Sequence, residues 1–204
     1  MRSVIGLLIM ILASSVFSFG QMTPVGEKVD RRKVEQQPVK VNPLSLPEGY
    51  AAGQVTGNLS DGVRILNLRW AERSSVACFP GTRFEMFNGN HVLYRMTMPA
   101  QAVMTITVVP KEGKRINLYA LRQGMNPRSQ QVPPDVTSAI SCEAKYPIYA
   151  DVSRNRRVKN VDDGTRTIEY ISINSPYSIL IGVAGANGLN EGAFDLKVEF
   201  KSRN

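Results

Sequence analysis

The sequence predicts an antiparallel β-sandwich of seven or eight strands. Three observations carry that expectation. From about residue 50 onward, apolar and polar residues alternate with period two. Clusters of turn-forming residues separate the alternating runs. No stretch shows a convincing 3.6-residue amphipathic period. A chain of 204 residues with 43% hydrophobic and 21% charged residues suits one globular domain with an appendage.

The appendage comes first. Arg2 precedes an apolar run from Val4 to Leu12, and Ala13–Phe19 tapers into small residues. Ser18 and Gly20 stand where a signal peptidase reads, which predicts a signal peptide over 1–20 cut before Gln21. The run is shorter than the ~20 residues of a membrane span, the alternative reading. No later stretch is long enough, so no transmembrane segment is expected in the mature chain. No Cys lies near the cut, as a lipoprotein would require. Cleavage leaves 184 residues of a secreted or periplasmic protein and lowers the net charge from +8 to +7.

Residues 21–47 read as a flexible tether. Pro24, Pro38, Pro43 and Pro47 punctuate it, and Glu27–Lys33 is a charged stretch with no period. It buries too little apolar surface to offset its ordering entropy. The alternative is an edge strand at Val39-Lys40-Val41, which alternates. The β-sandwich domain is then 48–204.

Within it, Val92, Tyr94, Met96 and Met98 share one strand face, with His91, Arg95 and Thr97 on the other. Met104, Ile106 and Val108 line a second strand, and Tyr177, Ile179, Ile181 and Val183 a third. Phe194, Leu196, Val198 and Phe200 alternate with Asp195, Lys197 and Glu199 in the last. Weaker runs are Val63–Trp70, Ile116–Leu121 and Thr167–Ile173. Turns are expected at Asn88-Gly89-Asn90, Glu112-Gly113-Lys114, Asp163-Gly164, Asn174-Ser175-Pro176 and Gly185-Ala186-Asn187-Gly188. Gly124–Pro134 reads as a loop.

Export gives the two cysteines a meaning. In an oxidising compartment, Cys78 and Cys142 are expected to form a disulfide closing about 64 residues. The chain-entropy model gives such a bridge about 4 kcal/mol. A reactive thiol is the alternative, without a nucleophile motif around either Cys. Two Cys and one His exclude a four-ligand zinc site.

The stretch Asn174–Gly185, followed by Gly192-Ala193-Phe194-Asp195-Leu196-Lys197-Val198, is similar to the closing hairpin of bacterial pre-peptidase C-terminal domains. Asn117-Leu118-Tyr119 stands where that family commonly carries Asp-Leu-Tyr, and Val103–Val109 resembles its preceding strand. The resemblance spans roughly residues 80–200. It implies a jelly-roll-like β-sandwich of the kind appended to secreted enzymes as an accessory or substrate-binding module, sometimes with calcium. No catalytic domain is expected ahead of this sandwich. Asn117 stands in place of the acid, and few acidic residues surround it, so calcium is the only cofactor the resemblance raises and no metal ligand is assigned.

Candidate sites are few. His91 reads as a surface residue beside a turn. With no Gly-x-Ser-x-Gly elbow in the chain, no catalytic residue is assigned. Asp162-Asp163-Gly164 offers hard oxygens for calcium but reads first as a turn. Arg154, Arg156, Arg157 and Lys159 form a basic cluster able to hold phosphate or carboxylate. A solvated loop is the alternative. No aromatic platform interleaves with it, so nucleic acid is not expected. Trp70 and Tyr119 are candidate aromatic contacts, which Tyr146 and Tyr149 would extend; for Trp70 a core position is the alternative. Asn58-Leu59-Ser60 is a glycosylation acceptor only in a eukaryotic source.

The function expected is a non-enzymatic extracellular binding or accessory module for an envelope glycan or protein. A structural subunit of a cell-surface assembly, joined through a strand edge or the tether, is the alternative. A hydrolase ranks third.

Overall fold

The computed structural model describes residues 35–47, 51–72, 84–137, 140–143 and 162–203. Among them run ten strands. These are β1 (Val41–Pro43), β2 (Ala52–Asn58), β3 (Val63–Arg64), β4 (Asn90–Met98), β5 (Ala102–Pro110), β6 (Ile116–Gln123), β7 (Ile140–Glu143), β8 (Arg166–Ile171), β9 (Tyr177–Gly185) and β10 (Ala193–Ser202). The helical turns among the described residues are short 3₁₀ pieces.

One sheet has the order β2-β10-β5-β8; the other has the order β1-β4-β9-β6-β7, with β3 also on β4. Pairing is antiparallel throughout except for β1, which runs parallel to β4. Setting aside β1 and β3, the eight remaining strands have the order of a jelly roll, as expected.

The faces read from alternation are the faces observed. Val92, Tyr94, Met96 and Met98 of β4 meet Met104, Ile106 and Val108 of β5 in one core, joined by Ile179, Ile181, Val183, Phe194, Leu196 and Val198. The turns have a local cause as well. Asn187 and Gly188 both adopt positive φ, and the Leu189 N–H donates to the Ala186 carbonyl (3.0 Å). That is the geometry of a type I′ turn, which Asn-Gly favours.

Three expectations change. First, Glu35–Pro47 belongs to the same folded unit as the sandwich. Within it β1 takes an edge position one step of alternation later than expected, sharing only Val41 with the Val39-Lys40-Val41 run. Leu44 and Leu46 pack on the core, and Val39 and Val41 pack on a second apolar cluster. Four apolar side chains find partners here, which the proline spacing concealed.

Second, only Val63 and Arg64 of the Val63–Trp70 run pair as a strand. A 3₁₀ turn (Arg69–Glu72) follows, because the Asn67 side chain accepts a hydrogen bond from the Arg69 N–H (2.9 Å).

Third, the larger sheet is buried on both faces. Its outer face carries the second cluster, in which Leu93, Tyr119, Leu121, Leu180 and Ala184 from the strands meet Trp70, Phe87 and Val136 from overlying segments. This cover explains why β6 and β9 are almost wholly buried.

Candidate functional site

The outer cover of the larger sheet is the most elaborately built surface among the described residues. Its centre is Tyr119, which faces Gly182 across the β6–β9 pairing. A Cβ on Gly182 would lie 2.0 Å from the Tyr119 ring, so the glycine makes room for the aromatic. Trp70, Phe87 and His91 surround that ring, with centroids 5.6, 6.0 and 5.7 Å away. Tyr119 is fully buried and Trp70 is 3% exposed. Neither presents a platform for a ligand to stack on; the core alternative holds for Trp70.

His91 is likewise interior, at 1% exposure, rather than on the surface. The polar face of β4 is a covered face. The two ring nitrogens fix the tautomer: Nε2–H donates to the Phe87 carbonyl (2.7 Å) and Nδ1 accepts from the Tyr119 hydroxyl (3.0 Å). Burial lowers the His91 pKa from 6.5 to about 4, and the bond to Phe87 offsets part of that shift. Burial also pushes the Tyr119 hydroxyl well up. Neither group carries charge at neutral pH.

A second polar thread joins the two sheets. Asn117 donates through Nδ2 to the Met86 carbonyl (2.7 Å), and its Oδ1 accepts from Arg166 Nε (3.2 Å). Arg166 grips Asp162 with both terminal nitrogens, at 2.7 and 2.9 Å. That forked bond holds the Asp162 carboxyl below the usual carboxylate range. The Asp162 and Asp163 side chains also accept the N–H groups of Gly164 and Thr165, and Gly164 has positive φ. The turn reading of Asp162-Asp163-Gly164 describes this geometry. The cation beside Asn117 and Asp162 in this structure is the Arg166 guanidinium. No group of three or more His, Cys, Asp or Glu that could hold a metal occurs among the described residues.

The cover is open to solvent along Arg64–Trp70. A cleft of about 330 Å³ on one side is lined by Arg64–Arg69 and Asn88. A cleft of about 460 Å³ on the other is lined by Asn67, Arg69, Trp70 and Pro134–Thr137. Asn67 and Arg69 border both. Arg64, Leu66, Asn67 and Arg69 are exposed, and Trp70 closes the floor of the larger cleft.

Side chains from neighbouring segments hold this ridge in place. Gln36 accepts from the Leu66 N–H (2.8 Å) and donates to the Arg64 carbonyl (3.0 Å). On the far wall, Gln131 accepts from the Thr137 N–H and hydroxyl. Arg95 donates to the Gln130 carbonyl and side chain. Neither Arg64 nor Arg69 makes an ion pair among the described residues.

The sequence reading did not single out Arg64, Asn67, Arg69, Asp135 or Thr137. The signal available was the break in alternation where Asn67 follows Val63 and Ile65. Cys78, the Cys142 side chain, Arg154, Arg156, Arg157, Lys159, Tyr146 and Tyr149 lie outside the described residues. Backbone pairing does place Cys142 opposite Ala120 on the buried strand β6. Among the described residues no helix is long and apolar enough to cross a membrane.

A scan against protein-family models and a search of curated proteins found no match. Solved structures with a similar backbone include PliG of Aeromonas hydrophila, a periplasmic inhibitor of g-type lysozyme. It is 13% identical, covers 80% of this chain and 97% of its own, and has a TM-score of 0.41. The pre-peptidase C-terminal domain of a Bacillus anthracis collagenase is 11% identical over 81% of this chain and 100% of that one, TM-score 0.39. It is a domain of the kind that the closing hairpin resembles. A surface-associated copper-binding protein of Methylomicrobium album BG8 is 12% identical over 80% of this chain and 98% of its own, TM-score 0.36.

Proposed function

We propose that the protein is an exported, non-enzymatic binding module whose ligand seats on the Arg64–Trp70 ridge and in its two clefts. The observation that carries this reading is the pair of exposed guanidiniums, Arg64 and Arg69, without acidic partners among the described residues. They border clefts whose other polar side chains are Asn67, Asn88, Asp135 and Thr137. A guanidinium fork recognises carboxylate or phosphate. Asn, Asp and Thr side chains suit hydroxyl groups. The ligand class is therefore an acidic polysaccharide of the cell envelope. The excess of 25 Lys and Arg over 17 Asp and Glu favours the approach of such a polymer. Arg154, Arg156, Arg157 and Lys159 are proposed to add to the same attraction.

The test is calorimetric titration with sodium alginate as the acidic polymer and dextran as the neutral one. Alginate should bind in low salt and weaken as salt rises, whereas dextran should not bind. Arg64→Glu with Arg69→Glu should weaken alginate binding by about tenfold or more, a loss of about 1.4 kcal/mol. Equal binding by the double variant would overturn the assignment of the ridge. Dextran binding as tightly as alginate would overturn the acidic ligand class.

A further inference from the structure

The sandwich leaves one long sheet edge unguarded among its described residues. Folded proteins blunt free edges with short strands, prolines or charges, because an open row of backbone N–H and C=O groups pairs with any extended chain. β1 has three residues and ends in Pro43. β7 has four. β8 carries Arg166 and Glu169. β2 is different: its seven residues, Ala52-Gly53-Gln54-Val55-Thr56-Gly57-Asn58, include no charge and no proline.

One side of β2 pairs with β10 from Ala193 to Glu199. From Ala52 to Gly57, no backbone hydrogen bond joins its other side to a described residue. A cleft of about 490 Å³ opens beside that side, lined by Leu44, Val55, Gly57, Val92 and Tyr94 and, at its rim, by one cation and one anion, Lys40 and Asp61. At one end the Phe194 ring and the Tyr94 hydroxyl close on Gly57, where a Cβ would lie 2.6 Å from each.

We propose that β2 is a self-pairing edge, through which two copies of this chain join antiparallel about a two-fold axis at Val55. The smaller sheets of the two copies then form one continuous sheet of eight strands. Opposed residues in an antiparallel pair share a face, so the exposed Gln54 and Thr56 must oppose exposed residues. Centring on Val55 satisfies this over all seven residues. Gln54 meets Thr56 of the second copy, Gly53 meets its Gly57, and Val55 meets its own counterpart.

Charge selects the same arrangement. Across β2, Gln54 is paired with Lys197, and Thr56 with Asp195. Each outer row of the fused sheet therefore runs from Lys197 through Gln54 and the second copy's Thr56 to its Asp195. Opposite charges end the row, and no charged side chain opposes another at the joint. For a chain with net charge +8, a joint that sets no Lys or Arg face to face avoids the repulsion that opposes self-association. The contact is isologous, so it closes as a dimer and does not propagate.

Light scattering on the full exported chain across a concentration series tests this. The wild type should be dimeric at the upper end. Gln54→Lys with Thr56→Lys sets lysine against lysine in both rows; it should be monomeric with an unchanged melting curve. Val55→Cys places a thiol on the axis and should give a covalent dimer on a non-reducing gel, whereas Gln54→Cys should not. A wild type that stays monomeric, a dimer that survives the two lysines, or cross-linking by Gln54→Cys instead of Val55→Cys would overturn the proposal. If the lysine variant fails to fold, the two cysteine variants decide the question.

Discussion

Acidification should unfold this protein earlier than its carboxylates alone would dictate, through His91. The imidazole titrates near 6.5 in an unfolded chain and at about 4 in the native one. As pH falls through that interval, the unfolded chain takes up a proton that the native state refuses. Stability contributed by the neutral imidazole is therefore complete above 6.5 and declines toward 4. The difference amounts to about 3 kcal/mol once both values are passed. Set against the 5–15 kcal/mol typical of a domain, that is a substantial share.

The carboxylates act in a different window. Asp162 is held below its ordinary value of 3.8 first by Arg166, and Asp195 by Thr56 and then Lys111. Their stabilisation is lost only as pH falls below the ordinary carboxylate range. Urea denaturation at steps from about pH 7 to about pH 4 should show stability falling as the pH drops, with the slope approaching one proton. His91→Gln should remove that slope while leaving the loss at lower pH. A wild-type stability that is flat across the interval, or a His91→Gln variant that keeps the slope, would refute the reasoning.

Other predictions follow from packing. Gly182→Ala should cost about 1–3 kcal/mol, or more, because Trp70, Phe87 and His91 leave the Tyr119 ring no room to retreat; a thermal melt measures it. A chain beginning at Leu46 or later loses Val39, Val41 and Leu44, and removing Leu46 as well should bring the cost to about 4 kcal/mol at roughly 1 kcal/mol for each half-buried side chain. A denaturation midpoint unchanged by that truncation would show that the segment is only a tether. For the proposed Cys78–Cys142 bridge, thiol counting on the mature protein should find no free thiol, and reduction should lower stability by about 4 kcal/mol.

The inner faces of β4, β5, β9 and β10 were legible because each sets an apolar residue at every second position against one shared core. His91 and Tyr119 were not, because period-two patterning reports which residues share a face and not what lies over that face. The overlying chain comes from residues 64–72, 84–89 and 130–137, far apart in sequence and irregular in conformation. β2 escaped notice for a related reason. Two of its three inward positions, Gly53 and Gly57, are glycines and only Val55 is apolar, so the apolar beat that marks a strand is missing. Leu46 fills the space a Cβ at Gly53 would take. The ridge residues Arg64, Asn67 and Arg69 read in the sequence as parts of a weak strand. Asn67 turns the chain there, and Arg64 and Arg69 come to line one cleft.

The pairing of β2 with β10 also constrains how the chain is born. Residues 52–58 are made well before their hydrogen-bonding partner, residues 193–199. β4 waits in the same way for β9. Neither sheet can be completed until the strands of residues 177–199 have been made. The sandwich must close in a late, concerted step dominated by long loop closures, which is intrinsically slow. Until then the uncharged β2 segment is an open template for aggregation.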